Sequence, residues 1–136
     1  MRNTDKLQGD LYTVQHTAQG KGEGAAAFRI AVNPDHEIFL GHFPGNPVLP
    51  GACTIQILKE LAEGASGRDL LLSGAQNIKF LSFIDPRKNP VLDIDLLLRE
   101  TEEGTYACSA SVHYGGRVFC SFRGTMMLLP GNRTGA

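Results

Sequence analysis

"GHFPGNPVLPGACTIQILKE" (residues 41–60) sets a stiff loop directly in front of a helical pattern. Pro44, Pro47 and Pro50 fix φ three times in seven residues, and Gly41, Gly45 and Gly51 supply unusual dihedrals or close approach. A loop with so little freedom holds its one histidine, His42, rigidly, which suits a catalytic base better than an adaptable binding surface. From Gly51 the pattern becomes helical for about 13 residues, and Gly64 is where it is expected to stop. On a wheel of about 100° per residue, Thr54, Ile55, Ile57, Leu58, Leu61 and Ala62 form an apolar arc. Gln56, Lys59, Glu60, Glu63 and Ala52 form the opposite arc, which the wheel alone reads as a solvated face.

The flanking sequence reads as strands. Leu11–His16 and "AAAFRIAV" precede the loop, separated by the glycine-rich turn "GKGEG". After the helix come "NIKFLSF", "VLDIDLLLRE", "YACSASVHY" and "RVFCSFRGTMMLL", with "DPRKNP", "TEEGT" and Gly115-Gly116 as turns. Two strands, one helix and about four further strands indicate an α+β fold with an antiparallel sheet. One short helix cannot cover both faces of such a sheet, so the sheet must curl around it or a second copy must help. The 136 residues are expected to form a single domain with a polar tail at 131–136.

A net charge of −1 gives no reason to expect a nucleic-acid partner or an anionic membrane. No apolar run reaches the roughly 20 residues of a membrane helix, and "MRNTDKLQGD" lacks the apolar stretch of a signal peptide. Cys53, Cys108 and Cys120 are odd in number and lack metal-ligand spacing, so they read as reduced thiols of a cytoplasmic protein. Cys53 stands in the first helical turn, where the dipole lowers a thiol pKa, but a small packing residue is the favoured reading. His16, His36 and His113 carry no motif. Asp35, His36 and Glu37 are adjacent in an extended segment and point apart, so no metal is expected there.

"GHFPGNPVLPG" resembles the signature of the 3-hydroxyacyl-acyl-carrier-protein dehydratases of fatty acid synthesis, which have the hot-dog fold. Gly41, His42, Phe43, Pro44, Gly45, Pro47, Val48, Pro50 and Gly51 all stand where that motif has them. A looser likeness runs from about Leu11 to Leu129, including "GAQNIKFLSFIDP". The resemblance implies a sheet wrapped around the central helix and a homodimer joined edge to edge, in some relatives a trimer of dimers. It implies a substrate carried on the phosphopantetheine of an acyl carrier protein, and no metal or cofactor. His42 would remove the α proton of a 3-hydroxyacyl thioester, and the product would be a trans-2-enoyl thioester and water. Gly51 N–H would hold the thioester oxygen, and the Val48 carbonyl would accept from His42 Nδ1 so that Nε2 faces the substrate.

The family places a Glu or Asp fourteen residues after the histidine, and usually a Gln four further on. Here those positions are Gln56 and Glu60. An amide cannot give a proton to a leaving hydroxyl and regenerate as a carboxylic acid can. Three readings follow. Glu60 supplies the acid from one turn along, directly or through a water held by Gln56. Alternatively, His42 makes both proton transfers while Gln56 orients the hydroxyl. In the third, the chain binds acyl thioesters without chemistry or hydrolyses them. Lys79, Arg87, Lys88, Arg99 and Arg123 are candidates to meet an acidic carrier protein, with ordinary surface charge the plainer reading of each. Phe80, Phe83 and Met126–Leu129 are candidates either for an acyl tunnel or for plain core.

Overall fold

Two strands, β1 (Tyr12–Gln19) and β2 (Ala25–Val32), open the computed structural model, which describes residues 6–40 and 47–129. A single α-helix, α1 (Gly51–Ser66), follows. Then come β3 (Leu70–Phe80), β4 (Val91–Glu102), β5 (Thr105–Tyr114) and β6 (Arg117–Leu128). All pairings in the sheet are antiparallel and its order is β1-β2-β4-β5-β6-β3. The order follows from chain lengths. Short turns join β1 to β2 and link β4, β5 and β6 in a meander, whereas the loop and helix after β2 carry the chain to the far edge before β3. Gly115 and Gly116, at φ 59° and 83°, supply the two left-handed residues that a tight β5–β6 turn requires.

Alternation decides which side chains enter the core. Phe28, Ile30 and Val32 of β2 face inward with Leu92, Ile94, Leu96 and Leu98 of β4, and Tyr106, Cys108, Ala110 and Val112 of β5 continue the layer. The helix lays Thr54, Ile57, Leu58, Leu61 and Ala62 against them, the arc that the wheel marks as apolar. Burying each Leu or Ile side chain contributes roughly 1.5–3 kcal/mol, so this one helix face holds the sheet in its curl.

The helix extends beyond the expected stop. Gly64 lies inside it, and the end comes at Gly67, whose φ of 71° is the left-handed cap and whose N–H donates to the Glu63 carbonyl at 2.8 Å. The strands also exceed their expected limits: β1 continues to Gln19 and β3 starts at Leu70, seven residues before "NIKFLSF". Two register shifts in β3, between Leu72 and Gly74 and between Ala75 and Asn77, break the alternation that would have revealed its first half.

Candidate functional site

The approach to α1 is fastened to the rest of the fold. Leu49 is buried and its N–H donates to the Ile84 carbonyl at 2.8 Å, tying residues 47–50 to the segment between β3 and β4. Pro50 caps the helix with extended backbone and no side-chain hydrogen bond. Its carbonyl accepts from Cys53 N–H at 2.9 Å and Thr54 N–H at 3.1 Å. Among the described residues nothing accepts from the Gly51 or Ala52 N–H. Two donors with no acceptor among the described residues, at the positive end of a 16-residue helix, favour an acceptor that gains negative charge. Gly51 is bare because the Phe80 ring stands against it: a Cβ there would lie 2.8 Å from Phe80 Cζ. Val48 is half-buried one turn ahead of the helix, while His42 lies outside the described residues.

Gln56 and Glu60 are brought together as their four-residue spacing requires: Gln56 Nε2 donates to Glu60 Oε2 at 2.8 Å. The polar arc, however, is not a solvated face. Glu60 and Glu63 are both buried, at 3% and 8% exposure, because segments distant in sequence run over them. Leu7 N–H donates to Glu60 Oε2 at 2.8 Å, Gln8 N–H to Oε1 at 3.0 Å, and the Tyr12 hydroxyl to Oε1 at 3.0 Å. Counting Gln56, each carboxylate oxygen accepts twice, which fills the four lone-pair positions of an ionised Glu. Carrying a proton would cost Glu60 one of these partners. This saturation conflicts with the expectation that Glu60 serves as the reachable acid. Glu63 anchors the other side, accepting from Leu70 N–H at 2.8 Å and from Lys59 Nζ at 3.0 Å. Lys59 also donates to the Leu70 carbonyl at 3.2 Å.

Tyr12, Leu7 and Gln8 are contributors that local pattern gives no means of finding, since their role depends on a partner some fifty residues away in sequence. Burial, and after it the charge and hydrogen bond of Glu60, push the Tyr12 pKa well above its ordinary value, so the phenol remains a donor. A cavity of about 270 Å³ opens beside Gln56, Lys59, Glu63 and Leu70. A larger groove of about 760 Å³ runs along the second half of α1, floored by Val14, Phe28, Leu61 and Leu98, and among the described candidate site residues Glu60 alone borders it.

The remaining candidates separate clearly. Cys53 is half-buried and burial raises its thiol pKa, the opposite of what a helix-activated nucleophile needs. His36 caps a short 3₁₀ turn at Glu37–Phe39: Nδ1 accepts from Ile38 N–H at 3.0 Å and Nε2 meets Asp10 Oδ2 at 3.1 Å. His113 Nε2 meets Asp95 Oδ2 at 2.9 Å on the outer face of the sheet. Met126 is core, but Phe80 and Phe83 are 55% and 80% exposed, so core is the wrong description for them. Lys79, Lys88, Arg99 and Arg123 are exposed, and Arg87 lies against Asp85. No helix among the described residues is long and apolar enough to cross a membrane.

The model of the ApeI-like family, described as ApeI dehydratase, matches residues 17–121, a span containing the whole loop-and-helix stretch. The chain belongs to the ApeI-like dehydratase family. A 3-hydroxyacyl-acyl-carrier-protein dehydratase FabZ of Levilactobacillus brevis is 34% identical over 97 residues, covering 66% of this chain and 64% of that one. Another FabZ, from Novosphingobium aromaticivorans, is 30% identical over 105 residues, covering 72% and 66%. The match with this ApeI-like chain thus spans slightly less than two thirds of those relatives' length. In three dimensions it is similar to the dehydratase heterocomplex ApeI:P of Xenorhabdus doucetiae, with a TM-score of 0.65, 17% identity, and 84% and 96% of the two chains covered. It is also similar to a hypothetical thioesterase with coenzyme A from Streptococcus pneumoniae, with a TM-score of 0.59, 16% identity, and 87% and 85% covered. At these identities the likeness concerns the fold, and the fold is the hot-dog: an antiparallel sheet around one helix.

Proposed function

We propose that this ApeI-like dehydratase converts 3-hydroxyacyl thioesters on an acyl carrier protein into trans-2-enoyl thioesters. His42 Nε2 removes the α proton, the C3–O bond breaks, and the hydroxyl departs with that same proton as water. The observation that carries the reading is the Gly51 N–H at the mouth of α1, which has no acceptor among the described residues. A donor aimed at a carbonyl oxygen is worth most when that oxygen gains charge, as a thioester oxygen does when the α proton leaves. Gln56 stands five residues further along the helix, about 7.5 Å by its rise, and holds the hydroxyl three carbons into the substrate. Val48 supports His42 by accepting from Nδ1. One imidazole can serve as base and then as acid, so the missing acid at position 56 does not forbid turnover.

The carrier-bound substrate and a dimer belong to the same reading. At the far edge of the sheet β3 offers eleven residues with one side unpaired, flanked by exposed Leu71, Phe80, Leu81 and Phe83. Edges of this kind are either blunted or paired, and pairing with a second copy's β3 would cover those side chains. Exposed Lys79 on that strand, with Arg123, is placed to meet an acidic carrier protein.

Likeness to a thioesterase fold makes hydrolysis the second reading. Purified protein given carrier-bound 3-hydroxyacyl substrates of several chain lengths separates the two. Enoyl product with no free thiol supports dehydration. Free thiol and 3-hydroxy acid without enoyl product overturn it in favour of hydrolysis, and the absence of both leaves a binding role.

A further inference from the structure

We infer that Glu60 is a positioning residue that fixes the polarity of the Gln56 amide, so that Gln56 presents an acceptor, Oε1, to the substrate. The inference rests on the dehydratase reading for its consequence, but its geometry is independent of it. Gln56 Nε2 lies 2.8 Å from Glu60 Oε2. Turning the amide over would set Oε1 against Oε2 at that distance, acceptor against acceptor, with no proton between them. With its carboxylate ionised, Glu60 cannot relieve the clash by rotating away. Its remaining lone-pair positions are held by Leu7 N–H, Gln8 N–H and the Tyr12 hydroxyl, and it is 3% exposed. Only one orientation of the amide survives, and in it Oε1 points away from Glu60.

This polarity determines how the hydroxyl is held. A 3-hydroxyl beside Gln56 donates its O–H to Oε1, which leaves an oxygen lone pair to receive the proton that His42 took from the α carbon. An amide of opposite polarity would donate to one of the two oxygen lone pairs and leave the hydroxyl O–H without an acceptor on Gln56. Glu60 therefore supports a one-base elimination without touching the substrate. The exchanged pair, Gln56 with Glu60, presents the same acceptor outward as a carboxylate at 56 held by an amide at 60 would.

Two measurements test the inference. In ¹⁵N,¹³C-labelled protein, a scalar coupling across the hydrogen bond between Gln56 Nε2 and Glu60 Cδ should be detectable. No coupling, with both amide protons exchanging freely, would overturn the fixed polarity. In kinetics, Glu60→Gln lets both amides flip. It should lower kcat about 10²-fold, the order of loss from a misplaced positioning group, with KM little changed and the variant folded by circular dichroism. Gln56→Glu/Glu60→Gln rebuilds the bond with donor and acceptor exchanged and should gain more over Glu60→Gln than Gln56→Glu gains over wild type, a coupling that a merely structural Glu60 would not show. Wild-type kcat in Glu60→Gln, or a double variant no better than Glu60→Gln, would contradict the positioning role. A wild-type protein that shows the coupling yet yields no enoyl product would instead refute the dehydratase reading and leave the amide lock standing.

Discussion

The Phe80 ring tip stands where a side chain on Gly51 would have to go, 2.8 Å from the position of its Cβ. The contact ties the end of the edge strand to the first residue of α1, and a side chain at position 51 would require the ring to move. It also puts the ring of a half-exposed aromatic beside the Gly51 N–H.

Gly51→Ala should therefore damage turnover more than stability. The atom in the way is the far end of the Phe80 side chain rather than backbone, so the ring can shift at small cost to the fold. The new methyl group remains beside the N–H and displaces the thioester oxygen. A fall of about 10²-fold in kcat/KM is expected, as for a reactant held out of place, with the unfolding midpoint nearly unchanged. Steady-state kinetics beside denaturant unfolding decides it, and a fully active Gly51→Ala would remove Gly51 from the site.

Tyr12→Phe deletes one of the four donors on Glu60. A buried hydrogen bond to a charged group contributes about 1.5–3 kcal/mol, and the variant should lose an amount of that order in urea unfolding. Its pH dependence has a definite sign. Burial and Glu60 raise the Tyr12 pKa in the folded protein above the unfolded value of about 10. The stabilisation is complete below that value and falls as pH climbs above it, because the unfolded chain then releases a proton that the folded chain retains. The alkaline limb of the stability curve should be flatter in Tyr12→Phe. Equal slopes would mean that Tyr12 is not held neutral by its surroundings.

The contrast between α1 and the segments lying over it shows what could be read in advance. Thr54, Ile57, Leu58, Leu61 and Ala62 announce the buried face because helical periodicity is local. Glu60 and Glu63 look like solvent-facing charges for the same reason: nothing within a turn of them reveals that Leu7, Gln8 and Leu70 will arrive as donors. The end of the helix was misplaced at Gly64 because a glycine in sequence does not disclose its φ. Gly67 adopts the left-handed conformation, while Gly64 is an exposed interior residue. The loop motif identified the family since its prolines and glycines constrain the backbone by themselves. The proximity of Gln56 and Glu60 follows from their spacing, but their hydrogen bond and the saturation of Glu60 do not.

The cysteines should be unreactive in the folded protein. Burial pushes Cys108 and Cys120 up to about 11, and raises Cys53 as well. At pH 8 a thiol-specific reagent should label all three quickly in denaturant and none quickly in buffer, since the thiolate is the reacting form. Rapid native labelling of Cys53 would restore the nucleophile reading that its raised pKa opposes.

Lys59 and Glu63 clamp the start of β3 through both backbone groups of Leu70. Glu63→Ala removes the acceptor for a buried N–H and strands the Lys59 ammonium near it. A loss of about 1–3 kcal/mol is expected, the range for leaving a buried donor without its acceptor. Amide hydrogen exchange should localise the loosening to β3 around Leu70. Unchanged protection there would show that the clamp is dispensable.

The central claim is that His42 alone moves the proton that turns a 3-hydroxyacyl thioester into an enoyl thioester. The intact mass of a 3-hydroxyacyl carrier protein, measured before and after incubation with the wild-type chain and with His42→Ala, tests it most directly. The account predicts that the wild-type chain removes the mass of one water from the carrier and that His42→Ala removes none. An unchanged carrier mass with the wild-type chain, loss of the whole acyl group, or full water loss with His42→Ala would contradict it.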